Sequence, residues 1–324
     1  MNPFTRFSAT IAAVFLLINF SSCSNDIDLL DPADPIPVVY FQINPADKIF
    51  YLTLTRSFSG DGNGYNLARD PNQIFYDSAD IRLEGWSDQY KVWETEFKHS
   101  DRTKIPGIFS EVPGYCYEAV NSLPYGFTSY RLVIYLPGMS SPIFSRIPVM
   151  SEISAPSKFD HEIALYPDVY KINFPGALEY PSGIAYRQLL CEFHYQEYEV
   201  TWVDRSVLFT VRKDMIPPGG DLLYPDMFFN LLVKNIKPIN DTISRKFISI
   251  DLIFLVGDEY FNNYLDTYIN AGNMDLPPKG NISNGYGLFT MVRSVKNENM
   301  HLSQRTFDSL WNGEITRKLG FVRW

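Results

Sequence analysis

The chain has no cluster of lysine and arginine, and 28 basic against 37 acidic side chains leave it a formal charge of −9. A surface of that sign repels polyanions, which argues against nucleic acid as a partner. Histidine is scarce. His99, His161, His194 and His301 lie far apart, with neither His-x-His nor His-x-x-x-His spacing, so no zinc-binding trio is legible. A Gly-x-Ser-x-Gly elbow is missing, as is a glycine-rich phosphate loop ending in lysine. These absences lead us to expect a protein that is not an enzyme and carries no metal or cofactor. Beyond the first two dozen residues, no apolar run reaches the length of a membrane helix. The longest, Ile248–Val256, is interrupted by Ser249 and Asp251 and stops at Gly257.

What is present begins at the N-terminus. Arg6 precedes an apolar run from Ile11 to Phe20, then the small residues Ser21-Ser22, then Cys23. That order matches an export signal over 1–22, too short for a comfortable transmembrane span. The cysteine after it resembles the lipobox of bacterial lipoproteins, with Phe20 in the usual leucine position. The resemblance implies that Cys23 is diacylated, becomes the mature N-terminus and anchors the protein to the membrane by lipid. Residues 23–37 carry Asp26, Asp28, Asp31 and Asp34 among Pro32, Pro35 and Pro37. That mixture suits an extended spacer and neither a helix nor a central strand. Acidic residues behind the lipidated cysteine resemble surface-export signals, and both a surface-exposed and a periplasm-facing body remain open.

Cys116 and Cys191 are the other cysteines, and an oxidising compartment permits a bridge between them. Cys191 falls on the apolar phase of Leu189–Tyr195, which favours two buried free thiols.

From 38 to 150 the chain reads as short strands. Phe50, Leu52 and Leu54 alternate with Tyr51, Thr53 and Thr55; Ala79–Glu84 alternates likewise; Tyr130–Leu136 ends at Pro137-Gly138. Such strands, without a convincing helix, predict an N-terminal β-sandwich. Residues 151–324 carry longer strands at Gln188–Val200, Val207–Val211, Phe247–Val256 and Gly287–Val295. Two short helices are expected, near 259–271 and 304–312. Asp258 is a suitable N-cap for the first, whose Tyr260, Phe261, Tyr264, Leu265, Tyr268 and Ile269 form an apolar stripe, and Gly272 follows it. Ser303 caps the second, which stops at Gly313. The fold class expected is mostly β: a sandwich, then a β-rich α+β domain, divided within Pro148–Pro156. A single two-layer fold is the alternative.

The most specific pattern after the lipobox lies near the C-terminus. Ile248-Ser249-Ile250-Asp251, then Tyr260 with Tyr264-Leu265, then Ser283-Asn284-Gly285 with Gly287 and Phe289 occur in that order and close on Lys318-Leu319-Gly320-Phe321. With the lipobox and Val38-Val39-Tyr40, they resemble the Bacteroidota outer-membrane lipoprotein family, domain-of-unknown-function 4249, of which this is a divergent member. Ala79–Leu83, Gly114-Tyr115 and Tyr130–Ile134 likewise resemble strands of a transthyretin-like or carboxypeptidase-regulatory-like sandwich. The family resemblance implies a non-catalytic accessory or scaffold in an outer-membrane complex, often beside a TonB-dependent transporter. Its motif residues read as structural, since Asn284-Gly285 suits a tight turn and Gly287 a close backbone approach.

Two further sets of residues merit weighing. Asp61-Gly62-Asn63-Gly64 with Asn66 and Asp70 looks like a calcium loop, but position twelve is Asn72, where an EF-hand needs glutamate. Aromatics are abundant, with 24 Phe, 21 Tyr and 5 Trp. Most must be core. Trp86, Asp88, Gln89, Tyr90 and Trp93 combine aromatic faces with a polar rim, as a glycan site requires, and read as a hairpin tip. Binding of a glycan or small nutrient is therefore the alternative function.

Overall fold

The structure, a computed structural model, describes residues 35–57, 63–100, 116–120, 126, 128–153, 162–165, 170–172, 183–213, 221–238, 243–270 and 280–323. The expected signal segment, Cys23 and most of the spacer lie outside these residues, as do Asp61 and Gly62.

The chain is mostly β. In order it forms β1 (Pro37–Ile43), β2 (Ile49–Arg56), two single-turn helices α1 (Gly64–Leu67) and α2 (Pro71–Ile74), then β3 (Asp80–Ser87), β4 (Tyr90–Glu96), β5 (Lys98–Ser100), β6 (Cys116–Val120), β7 (Ser129–Tyr135) and β8 (Ile143–Pro148). There follow β9 (Glu162–Ile163), β10 (Tyr170–Ile172), β11 (Tyr186–Tyr198), β12 (Trp202–Lys213), β13 (Asp221–Leu223), α3 (Pro225–Asn235), β14 (Ser244–Gly257), α4 (Glu259–Asn270), β15 (Tyr286–Leu302) and α5 (Gln304–Asn312), closed by a 3-10 turn at Arg317–Leu319.

One long sheet runs β12-β11-β14-β15-β1-β2-β6-β5, with β9 beside β15; a second holds β4-β3-β7-β8, and β10 pairs with β13. The alternations read in the sequence set the buried faces. Phe50, Leu52 and Leu54 are buried, as are Ile81, Leu83, Leu132 and Ile134, and all lie in one apolar core with Val39, Phe41 and Ile143. That core is where the β1-β2-β6 side of the long sheet meets the four-stranded sheet. A second core gathers Cys191, Phe193, Phe247, Ile250, Leu252 and Phe254 from β11 and β14 against Phe228 and Leu232 of α3 and Leu310 of α5.

The division expected within Pro148–Pro156 does not separate these cores cleanly. Val256, Phe289 and Met291, all beyond it, belong to the first core. The cause is β15, which pairs antiparallel with β14 and parallel with β1, so that Phe41 lies opposite Phe289 with the rings stacked at 5.3 Å. Farther along, β15 supplies Met300 to the second core.

The two expected helices form where their caps stand. Asp258 Oδ1 accepts from the Phe261 N–H at 2.9 Å, and Ser303 Oγ from the Thr306 N–H at 3.3 Å. Along α4, however, Tyr260, Phe261, Tyr264 and Leu265 are all half-buried, so its stripe lies on the sheet without being sealed. The helix α3 was not expected. Pro225 at its first turn, Asp226 behind it and the Phe228, Phe229, Leu232 face explain it. Cys116 and Cys191 are both buried thiols, on β6 and β11. Burial pushes the Cys191 thiol far up, leaving it a small apolar side chain.

Candidate functional site

The glycan candidates do form a hairpin tip, with Asp88-Gln89 turning β3 into β4 and Asp88 at φ +53°. They do not share a face. Ser87 pairs with Tyr90 and Trp86 with Lys91, but a bulge then lets Gly85 face Trp93. Without that extra residue Trp93 would stand opposite Glu84, on the side of Trp86; with it, Trp93 turns inward and packs on the first core. Trp86 remains outside, but the Arg131 guanidinium lies 3.7 Å above its ring and its indole N–H donates to Glu84 at 2.7 Å. Only Tyr90, 69% exposed, is a bare ring beside Asp88 and Gln89. The calcium reading weakens too. Asp70 is spent as the N-cap of α2, its carboxylate accepting from the Asn72 N–H at 3.0 Å.

The C-terminal motif residues tie strands together. Ser283 exchanges two backbone hydrogen bonds with Phe144 of β8, at 2.8 and 3.1 Å, and the Asn284 side-chain amide donates to the Pro142 carbonyl at 2.8 Å. Asn284 sits at φ +59°. A Cβ on Gly285 would crowd the Pro37 carbonyl, and one on Gly287, at φ +115°, would overlap that of Val39. Phe289 is fully buried, and its backbone N–H and carbonyl are both bonded by the Asn281 side chain. Tyr264 of α4 meets Tyr40 of β1 edge-on at 6.3 Å. At the junction, Asp258 binds β15 as well as capping α4, accepting from the Thr290 hydroxyl at 2.6 Å and the Met291 N–H at 2.8 Å. Burial raises its pKa despite those bonds.

Asp251 does something the sequence did not disclose. Glu192 and His194 alternate on the polar face of β11, and the register of β11 with β14 sets Asp251 directly across from Glu192. His194, one of the four dispersed histidines, has its Nε2 2.9 Å from Asp251 Oδ2 and 3.9 Å from Glu192 Oε2. The three donor groups lie within 4.8 Å of one another, a convergence that no spacing in the sequence revealed. From β15, Lys296 reaches the same place, with Nζ 2.8 Å from Asp251 Oδ2, 3.4 Å from Glu192 and 3.8 Å from Glu298. A second irregularity completes it. Between the Ile250–Met300 and Leu252–Asn297 pairs β15 bulges, Asn299 takes φ +58°, and its N–H points at Asp251 Oδ1 at 2.8 Å.

The electrostatics follow. Burial opposes charge on Asp251, but the bonds from Lys296, the Asn299 N–H and His194 outweigh it and hold the carboxyl below its ordinary range. The bond to Asp251 raises Lys296 in turn. The cluster thus sets two carboxyl groups, an imidazole and a lysine amine side by side on three paired strands. The polar positions Glu192-x-His194, the lone Asp251 in an apolar strand and Lys296 were the available signals, but their pairing lies in the register.

Comparison with known proteins gives no match to a family profile, a curated protein or a solved structure.

Proposed function

We propose that this chain is a non-catalytic cell-envelope lipoprotein, held at the outer membrane by lipid on Cys23 and serving as accessory or scaffold to an outer-membrane protein complex, such as one built on a TonB-dependent transporter. The lipobox, the acidic spacer and the family motifs support the location. The observation that carries the docking role is the tip of the β11–β12 hairpin. Val200 is 87% exposed there, between Tyr198 and Trp202, whose rings meet edge-on at 5.2 Å. A bare aliphatic side chain beside an aromatic pair, on a hairpin that β14 braces as far as Tyr198, suits insertion into a pocket on a partner protein.

The test is purification of the lipidated protein from its own outer membrane in mild detergent. It should bring the transporter with it, lose that partner in Val200→Asp, and keep it in Tyr90→Ala. Cys23→Ala should abolish lipid labelling, and normal labelling in that variant would end the anchoring claim. The second reading, a glycan or small-nutrient binder, draws on the exposed Tyr90 ring beside Asp88 and Gln89. Recovery of the protein alone, together with a saturable hit on a glycan array, would put that reading first.

A further inference from the structure

We infer that Glu192, His194 and Asp251 form a binding site for a divalent transition-metal ion, zinc above all, from which Lys296 is displaced when the ion enters. The donors are one imidazole nitrogen and two carboxylate oxygens, a set that zinc takes readily. Zinc bonds such atoms at about 2.0–2.2 Å, so tetrahedral ligands stand roughly 3.3 Å apart. Asp251 Oδ2 and His194 Nε2 are 2.9 Å apart and His194 Nε2 and Glu192 Oε2 3.9 Å. Side-chain rotation alone closes that difference, since the three stand on adjacent paired strands whose backbones need not move.

Charge points the same way. Glu192, Asp251 and Glu298 all face Lys296, so acidic groups outnumber that cation by two. A cation already occupies the convergence point, and it is the more replaceable kind. The Lys296 side chain is 35% exposed, an ion pair to so exposed a lysine contributes little, and Glu298 lies 3.8 Å away to receive the ammonium once it leaves. Asp251 Oδ1 is separately held by the Asn299 N–H, which fixes the carboxylate while leaving Oδ2 for the ion, as outer partners of metal ligands do. Three protein ligands leave the fourth position of the ion to water or to a donor from a bound molecule. This inference is independent of the proposed docking role.

The experiment titrates full-length protein in detergent with zinc against a chromophoric chelator, and repeats it with cobalt(II), whose visible spectrum reports coordination. Wild type should bind one equivalent with a tetrahedral cobalt spectrum. His194→Ala and Glu192→Gln should each weaken binding about tenfold or more, and Lys296→Met should tighten it about tenfold, with metal-free melting curves showing all of them folded. Three results would each overturn the proposal: wild type binding no zinc at millimolar ion, His194→Ala binding as well as wild type, or Lys296→Met leaving the affinity unchanged.

Discussion

Asp258 and Asp251 are both almost fully buried, at 2% and 6% exposure, yet the two regions they organise treat a carboxylate in opposite ways. At the seam between α4 and β15, Asp258 is surrounded by neutral donors: a threonine hydroxyl and backbone N–H groups. On the polar face of β11, β14 and β15, Asp251 has a lysine, a histidine and one backbone N–H. Burial wins at the first and the carboxyl is pushed up; the cation tips the balance at the second and the carboxyl is pulled down. Burial alone therefore does not say what an acidic side chain is for. Neutral donors make a structural clamp, whereas a cation at the carboxylate favours its charge.

The comparison breaks most visibly at the clamp. Asp258→Ala removes a helix cap and strands the Thr290 hydroxyl and two backbone N–H groups, and should cost about 3 kcal/mol in urea melts. A loss below about 1 kcal/mol would mean that α4 is not held there. Next comes the helix itself. Leu265→Ala should cost about 1–2 kcal/mol, under the range for a sealed core leucine, because the side chain is only half-buried. A loss near 4 kcal/mol would show that α4 is covered from outside in solution.

On the open face, Asp251→Asn should cost about 1 kcal/mol at pH 7, since its main partner is well exposed. Its pH profile sharpens the contrast. A folded pKa below 3.8 means stability that is present above the unfolded value and lost as pH falls through the folded one, so Asp251→Asn should flatten part of the acid-side loss. Asp258, with a folded pKa above 3.8, binds its proton more tightly when folded, so it destabilises above that pKa and is relieved on acidification. Asp258→Asn should thus steepen the net acid loss. Urea midpoints taken from neutral pH down to about 3 decide it, and parallel profiles for the two variants would erase the distinction. Smallest is Lys296→Met, expected to shift metal-free stability by about 0.5 kcal/mol. A cost of several kcal/mol would make the lysine a structural keystone that no ion could displace.

What the sequence disclosed was whatever its physics kept local. Asp258 and Ser303 were legible as caps because a cap acts within a few residues of itself, and the buried face of β2 was legible because a strand repeats every two. The helix α3 was missed although Pro225 marked its start and Phe228, Phe229 and Leu232 its buried face. Register was illegible. One extra residue in β4 moved Trp93 from the face of Trp86 into the core, and pairing among β11, β14 and β15 gathered Glu192, His194, Asp251 and Lys296 from segments with no common pattern. Periodicity says which side of a strand is polar, but only the neighbouring strand says what meets there.

The long strand β15 has a consequence for how the molecule comes into being. Its parallel partner is β1, so the first of the described strands to be synthesised must wait for the last of them to complete its pairing. Contacts so distant in the chain close slowly, and the waiting edge of β1 presents unpaired backbone in the meantime. Phe41 stays without Phe289 until then. A chain interrupted anywhere before residue 286 lacks more than its tail, because its earliest-made core remains open on one side. Docking of β15 is thus one late event that closes the first core, while the second still awaits Leu310, Leu319 and Phe321 from the chain beyond it.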